Sequence, residues 1–220
     1  MRSALFDLDG TLADTAPDLG YAVNQQRLAR GMPELSIAEL RAYASSGARG
    51  LLQKGFGIHP ADSGYRELRD EFLDLYEKNI SRSTTLFPGV PALLDEIEAR
   101  GLPWGIVTNK SERFTLPLLR ALRLLGRAAC VVCGDTTLYS KPHPAPLIEA
   151  MSQIGTTAAH CPYVGDDERD VQAGHAAGMS VVVVRYGYLG AGRPPEEWGA
   201  DLLVDSPAEL YPVLFNGLNP

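Results

Sequence analysis

Two hydrophobic rhythms alternate along the chain. Short apolar runs that do not alternate with polar residues occur at Ser3–Leu8, Trp104–Thr108, Ala129–Cys133, Pro162–Gly165, Val181–Val184 and Leu202–Val204. Unbroken apolar character predicts strands covered on both faces, as in a parallel sheet. Between them lie stretches of helical period. Val90, Leu93, Leu94 and Ile97 recur on one face, opened by Pro88-Gly89 and closed by Gly101. Glu112–Arg123 and Pro144–Ile154 read as two further helices, and Glu168–Ala177 as another, with Gly178 at its stop. Strand–helix alternation from Leu86 onward predicts right-handed crossovers and a doubly wound α/β sheet.

Residues 14–84 break the alternation. Thr15-Ala-Pro-Asp18 has the spacing of a capping box opening a helix. Leu68, Phe72, Leu75 and Tyr76 mark another helical face, and no strand is predicted between the two. The expected organisation is an α/β core from residues 1–14 and 85–220, with an all-helical insertion over 15–84. The polar run Ser81–Thr85 is the expected hinge. No internal repeat or low-complexity tract is present.

Composition narrows the function classes. The 220 residues carry 20 basic and 27 acidic side chains, a net charge of −7, with 45% hydrophobic residues. These are ordinary values for a globular protein and exclude a disordered chain. No basic block longer than two residues occurs, which argues against a nucleic-acid partner. No apolar run approaches the ~20 residues of a membrane helix. Cys130, Cys133 and Cys161 make an odd count, and no apolar leader precedes the first strand-like run. The expectation is a reduced, cytoplasmic protein, monomeric or homodimeric. Cys130-Val-Val-Cys133 has zinc-like spacing, but no second pair accompanies it and the run is apolar, so buried thiols are expected.

Four segments carry candidate chemistry, each following a predicted strand, and open parallel sheets bind ligands at their strand ends. In Phe6-Asp7-Leu8-Asp9-Gly10-Thr11-Leu12, two carboxylates one residue apart must protonate or share a cation. The plain alternative is an Asp-Gly turn. In Val107-Thr108-Asn109-Lys110, a hydroxyl and free amides at a helix start suit phosphate oxygens, or a helix cap. In Ser140-Lys141-Pro142-His143-Pro144, Lys141 offers a compact positive charge, or a solvated one. In Val164-Gly165-Asp166-Asp167-Glu168-Arg169-Asp170, Asp166 and Asp170 are one helical turn apart. Two clusters of hard oxygen ligands suit Mg²⁺, whereas a single one would suit an acidic helix start.

The order Asp-x-Asp, Thr, Lys, Gly-Asp-x-x-x-Asp resembles the haloacid dehalogenase-like superfamily over the whole chain, and the helical insertion matches that family's cap. Phe-Asp-Leu-Asp-Gly-Thr-Leu and the cap position look most like its phosphoglycolate phosphatase branch. The resemblance implies a Mg²⁺-dependent phosphomonoesterase acting on a small phosphate ester through an aspartyl-phosphate. It makes Asp7 the nucleophile and Asp9 the general acid, then base. It gives the Mg²⁺ to the Asp7 carboxylate, the Asp9 backbone carbonyl and Asp166, with Asp170 and Asp167 supporting. It gives the phosphoryl oxygens to Thr108, the Asn109 amide and Lys141. Specificity should come from the cap, at Ser45-Ser-Gly-Ala-Arg-Gly50. There Ser46 and Gly47 would meet the substrate and Arg49 would grip a carboxylate at two points. That stretch, with Arg185-Tyr-Gly-Tyr188 and Trp198-Gly-Ala-Asp201, is also similar to N-acetylmuramic acid 6-phosphate phosphatases, whose substrate bears a carboxylate as well. Two other functions are weighed: a sugar phosphomutase of the same superfamily, and a phospho-accepting signalling module.

Overall fold

The computed structural model describes residues 2–216. In chain order its elements are β1 (Ala4–Phe6), β2 (Ala13–Asp14), α1 (Ala16–Ala29), α2 (Ile37–Ala44), α3 (Gly47–Phe56), α4 (Tyr65–Lys78), β3 (Thr85–Leu86), α5 (Val90–Ala99), β4 (Trp104–Val107), α6 (Glu112–Ala121), β5 (Cys130–Val132), α7 (Ala145–Ile154), β6 (Tyr163–Gly165), α8 (Glu168–Ala176), β7 (Val181–Val184), β8 (Leu202–Val204) and α9 (Leu210–Asn216).

Six strands form one sheet in the order β5-β4-β1-β6-β7-β8, and every pairing is parallel. Each unbroken apolar run of the sequence lies in this sheet. Leu5, Phe6, Ile106, Val164 and all four valines of β7 are fully buried, as expected for strands with helices on both faces. Phe6 meets Trp104 edge to face at 6.3 Å between centroids, joining β1 to β4. The chain leaves β1 toward β4 and β5, then returns to β6 on its other side. β1 therefore stands at the reversal of strand order, where the carboxyl ends part to leave a crevice.

The insertion is helical, α1 through α4, packed mainly through α1 against the other three. Two features differ from the sequence reading. First, β2 and β3 form a short antiparallel ladder, with Ala13 opposite Leu86 and Asp14 opposite Thr85. It draws together the two chain crossings, including part of the expected hinge. Second, Thr15-Ala-Pro-Asp18 does open α1, but not as a capping box. Thr15 makes no side-chain cap. The fully buried Asp18 carboxylate instead accepts from the Ser83 and Thr84 amides and the Thr84 hydroxyl. Three long-range donors outweigh one local amide. The working capping boxes are Ser36 with Glu39 on α2, and Asp167 with Asp170 on α8.

Ser45–Gly50 forms the corner from α2 into α3. α3 begins at Gly47, so Arg49 falls in its first turn. Gly47 has φ +54°, and a Cβ on Gly50 would sit 2.6 Å from the Tyr43 carbonyl. The glycines thus permit the sharp α2–α3 corner. All three cysteines are free and buried, as expected. Among the described residues, no helix is long and apolar enough to cross a membrane.

Candidate active site

The carboxyl ends of β1, β4 and β6, with the segment leading from β5 into α7, converge on a cavity of about 360 Å³. Its floor includes Asp7, Asp9, Thr108, Lys110, Lys141, Asp166 and Arg169, and its roof Ala44–Ala48, Phe72 and Tyr76 from the helical insertion. Sheet and insertion therefore enclose the space jointly.

Local backbone demands place the two acidic clusters. Gly10 has φ +88°, and a Cβ there would lie 2.1 Å from an Asp166 carboxylate oxygen. Gly187 approaches the same carboxylate from the other side, where its Cβ would meet the Asp166 Cβ at 2.3 Å. Only glycine lets two backbones close on one side chain this tightly. Asp166 is then fixed from both sides. Oδ1 accepts from the Thr11 hydroxyl at 2.8 Å and Oδ2 from the Tyr188 amide at 2.8 Å. Asp170, in the first turn of α8, accepts from the Asp166 and Asp167 amides on Oδ2. Its Oδ1 takes Lys141 at 2.7 Å and the Tyr163 hydroxyl at 3.0 Å.

Lys141 is buried and already committed. Its Nζ donates to the Val107 carbonyl, the Tyr163 hydroxyl and Asp170, and lies 3.0 Å from Asp7 Oδ1. Asn109 anchors the segment from behind, its side chain exchanging two hydrogen bonds with the Lys141 backbone. Burial works against the Lys141 charge, but Asp170 and Asp7 outweigh it and hold the ammonium above its usual pKa. For the acids burial dominates in the other direction. It pushes the Asp7 carboxyl up to about 7, Lys141 opposing the rise while Asp170 and Asp9 add to it. It also raises Asp166 well above the carboxylate range, with Asp7 and Asp170 adding to the effect.

Three carboxylates, Asp7, Asp166 and Asp170, offer oxygens within 4.8 Å of one another. Asp7 Oδ1 is buried, yet makes no well-directed hydrogen bond. A buried acceptor left in that condition costs ~1–3 kcal/mol, and crowded like charges add to it. A hard divalent cation meets both deficits. Asp7 and Asp166 fit as its ligands. Asp170 has two donors on each oxygen, against one on each oxygen of Asp166, and braces the Asp166–Asp167 backbone. Asp167 turns away. Its carboxylate pairs with Arg169 at 2.7 Å, and Arg169 also donates to the Ser45 carbonyl at 2.6 Å, tying α8 to the insertion. Burial opposes the Asp167 charge, but Arg169 holds that carboxyl below its usual pKa.

Asp9 lies at the cavity edge. Its Oδ1 accepts from the Thr15 hydroxyl at 2.5 Å and pairs with Lys110 at 3.0 Å. Thr108 is buried beneath, its hydroxyl accepting from the Lys110 amide. The sequence reading passed over Lys110 as a candidate, although it directly follows Thr108-Asn109. Ser46 and Gly47 line the cavity. Arg49 does not: it is exposed on α3, outside the wall. In an α-helix the residue two positions along projects to another face, so Arg49 points away while Gly47 lines the cavity, and the expected grip on a carboxylate does not form there.

A parallel sheet ending in an acid-lined cavity, with buried lysines opposite, defines a hydrolase-type site for an anionic substrate. Residues 4–184 match the family model described as haloacid dehalogenase-like hydrolase. The chain belongs to that family. It is 40% identical over 218 residues to N-acetylmuramic acid 6-phosphate phosphatase of Pseudomonas aeruginosa, covering 99% of this chain and 96% of that protein. It is 44% identical over 211 residues to phosphoglycolate phosphatase of Xanthomonas campestris pv. campestris, covering 96% and 95%. The crystal structure of a predicted phosphoglycolate phosphatase from Haemophilus somnus superposes with a TM-score of 0.83 at 27% identity, over 96% of each chain. Within the family, this chain is a phosphatase.

Proposed function

We propose that the protein is a Mg²⁺-dependent phosphomonoesterase for a small phosphate ester bearing a carboxylate, of the phosphoglycolate type. The observation that carries this reading is Asp7. Its buried Oδ1 has Lys141 at 3.0 Å as an ion-pair partner, shared with three other oxygens, and a second buried carboxylate beside it, at the mouth of the sheet.

Asp7 attacks phosphorus in line with the ester oxygen. The new Asp7 O–P bond forms as the ester P–O bond breaks, and Asp9 gives its proton to the leaving alcohol. Asp9 then takes a proton from water, whose oxygen attacks phosphorus and frees the Asp7 carboxylate and inorganic phosphate. Thr108 and the Asn109 amide hold the phosphoryl oxygens, and Lys141 exchanges one of its present oxygen contacts for a phosphoryl oxygen, so that positioning and charge neutralisation supply most of the rate. Asp7, Asp166 and the Asp9 carbonyl would hold Mg²⁺, whose charge would offset the repulsion between carboxylate and phosphate. Residues 15–84 act as the cap domain over this chemistry, on a core of 1–14 and 85–220. The protein works as a monomer or homodimer in the cytoplasm.

A second substrate, N-acetylmuramic acid 6-phosphate, is favoured by the full-length similarity to the Pseudomonas enzyme. The deciding experiment measures phosphate release from phosphoglycolate, N-acetylmuramic acid 6-phosphate, hexose phosphates and nucleotides, with Mg²⁺ and with excess chelator. The expected result is Mg²⁺-dependent release, fastest with a carboxylated ester. Release that persists in chelator contradicts the metal, and isomer formation without release identifies a mutase. A lasting phosphoprotein that does not turn over identifies a signalling module.

A further inference from the structure

We propose that Lys110, with the Tyr76 hydroxyl beside it, is the seat of the substrate's second anionic group and so determines specificity. This rests on the phosphatase reading above and assigns the recognition that the sequence placed on Arg49.

Three cationic side chains line the cavity: Lys110, Lys141 and Arg169. Two are committed. Lys141 has four oxygens around an ammonium with only three protons. Arg169 spends Nε and Nη2 on Asp167 and the Ser45 carbonyl. Lys110 differs. Its side chain is 8% exposed, and its one ionic partner is Asp9 Oδ1, which already takes the Thr15 hydroxyl. Its Nζ otherwise lies against the Tyr76 ring, 4.8 Å from the centroid. The Tyr76 hydroxyl is itself buried and makes no well-directed hydrogen bond. An ammonium and a phenol, one from the sheet side and one from α4, thus lie beside each other at the cavity, and the ammonium keeps protons beyond the one it gives Asp9. Buried polar groups are rarely left so, because each unmet one costs ~1–3 kcal/mol.

Location identifies the occupant. In the proposed mechanism Lys141 and Thr108 take the phosphoryl group. Lys110 pairs at 3.0 Å with Asp9, the acid proposed to serve the leaving alcohol, and so belongs with the leaving arm. An anion one carbon beyond the ester oxygen, as in a 2-phosphorylated hydroxy acid, would reach the ammonium and accept from Tyr76. The ligand class is a short phosphate ester with a carboxylate on the ester-bearing carbon.

The test compares kcat and KM for phosphoglycolate and ethyl phosphate in wild type, Lys110→Met, Lys110→Arg and Tyr76→Phe. Calorimetry of 3-phosphonopropionate and propylphosphonate binding, with Mg²⁺ present, runs beside it. A charge-assisted hydrogen bond of ~1.5–3 kcal/mol corresponds to a preference of roughly 10- to 100-fold for the carboxylated member of each pair. Lys110→Met should collapse that preference toward one, mainly through KM. Lys110→Arg should restore part of it, and Tyr76→Phe should lower it severalfold. A preference that survives Lys110→Met, or a wild type that binds both phosphonates equally, overturns the assignment. If wild type hydrolyses neither ester while the phosphonate preference and its loss hold, the phosphatase chemistry fails and the anion seat stands.

Discussion

The Tyr188 hydroxyl accepts the amides of Thr15 and Ala16, at 2.6 and 2.8 Å, while the Tyr188 amide donates to Asp166. One residue therefore caps the first helix of the insertion and orients a candidate metal ligand. The hydroxyl also donates to Asp14, which Arg41 of α2 clasps through both oxygens. Tyr188→Phe removes the cap and keeps the backbone contact. Stability should fall by ~1–3 kcal/mol, or roughly 2–4 °C per kcal/mol in a chain of this size. Mg²⁺ affinity should stay within about threefold, as read by thermal melting and calorimetry. A large loss of Mg²⁺ binding with an unchanged melt would reverse the assignment of the two contacts.

Gly10→Ala should act the other way. The new methyl would meet an Asp166 oxygen at 2.1 Å, on backbone at φ +88°. Asp166 must move, so Mg²⁺ binding should weaken at least ~10-fold, the scale on which ligand-orienting contacts act. Calorimetry checks this directly, and wild-type affinity would show that Asp166 does not hold the ion.

The carboxylate cluster predicts how the metal-free protein responds to pH. Asp7, raised to about 7 by burial, holds a proton in the folded state that it loses when unfolded at pH 5 or 6. The folded chain therefore binds more protons across that window, and its stability falls as pH rises through it. Melting temperature without Mg²⁺ should be higher at pH 5.5 than at pH 8, and Mg²⁺ should raise it more at pH 8. Asp7→Asn should flatten the slope, abolish turnover and leave the metal-free melt no lower than wild type. A slope unchanged in Asp7→Asn would assign it to other groups.

Arg49 and Arg169 should separate cleanly. Arg49 is exposed and outside the cavity, so Arg49→Ala should change phosphoglycolate and p-nitrophenyl phosphate turnover equally, by less than about twofold. Arg169→Ala breaks the tie from α8 to the Ser45 carbonyl and frees Asp167. KM should rise severalfold for both substrates, with a smaller fall in kcat. A selective loss on the carboxylated substrate in Arg49→Ala would return recognition to that residue.

What the sequence made legible follows from how local each cause is. The six core strands were visible because burial on both faces writes apolar runs without gaps, as in Val181–Val184. The four motif segments were visible because each strand end carries its own chemistry. The β2–β3 ladder was not, since two-residue strands leave no period and their partner lies far along the chain. Thr15 to Asp18 has capping-box spacing, yet Asp18 is claimed by Ser83 and Thr84 from the far end of the insertion. Lys110 escaped for a similar reason. Its significance comes from Asp9 and from Tyr76 of α4, and neither is near it in sequence.

The ladder of Ala13–Asp14 with Thr85–Leu86 has a consequence for ancestry as well as for mechanics. Because the chain departs and rejoins at adjacent backbone positions, the intervening helices form a closed detour hung from a single neck. Lengthening or replacing such a detour adds closure entropy only logarithmically and leaves the sheet register untouched. Selection can therefore exchange the roof for another while the sheet-end residues beneath it stay in place, so new ligands are within reach of the same cavity.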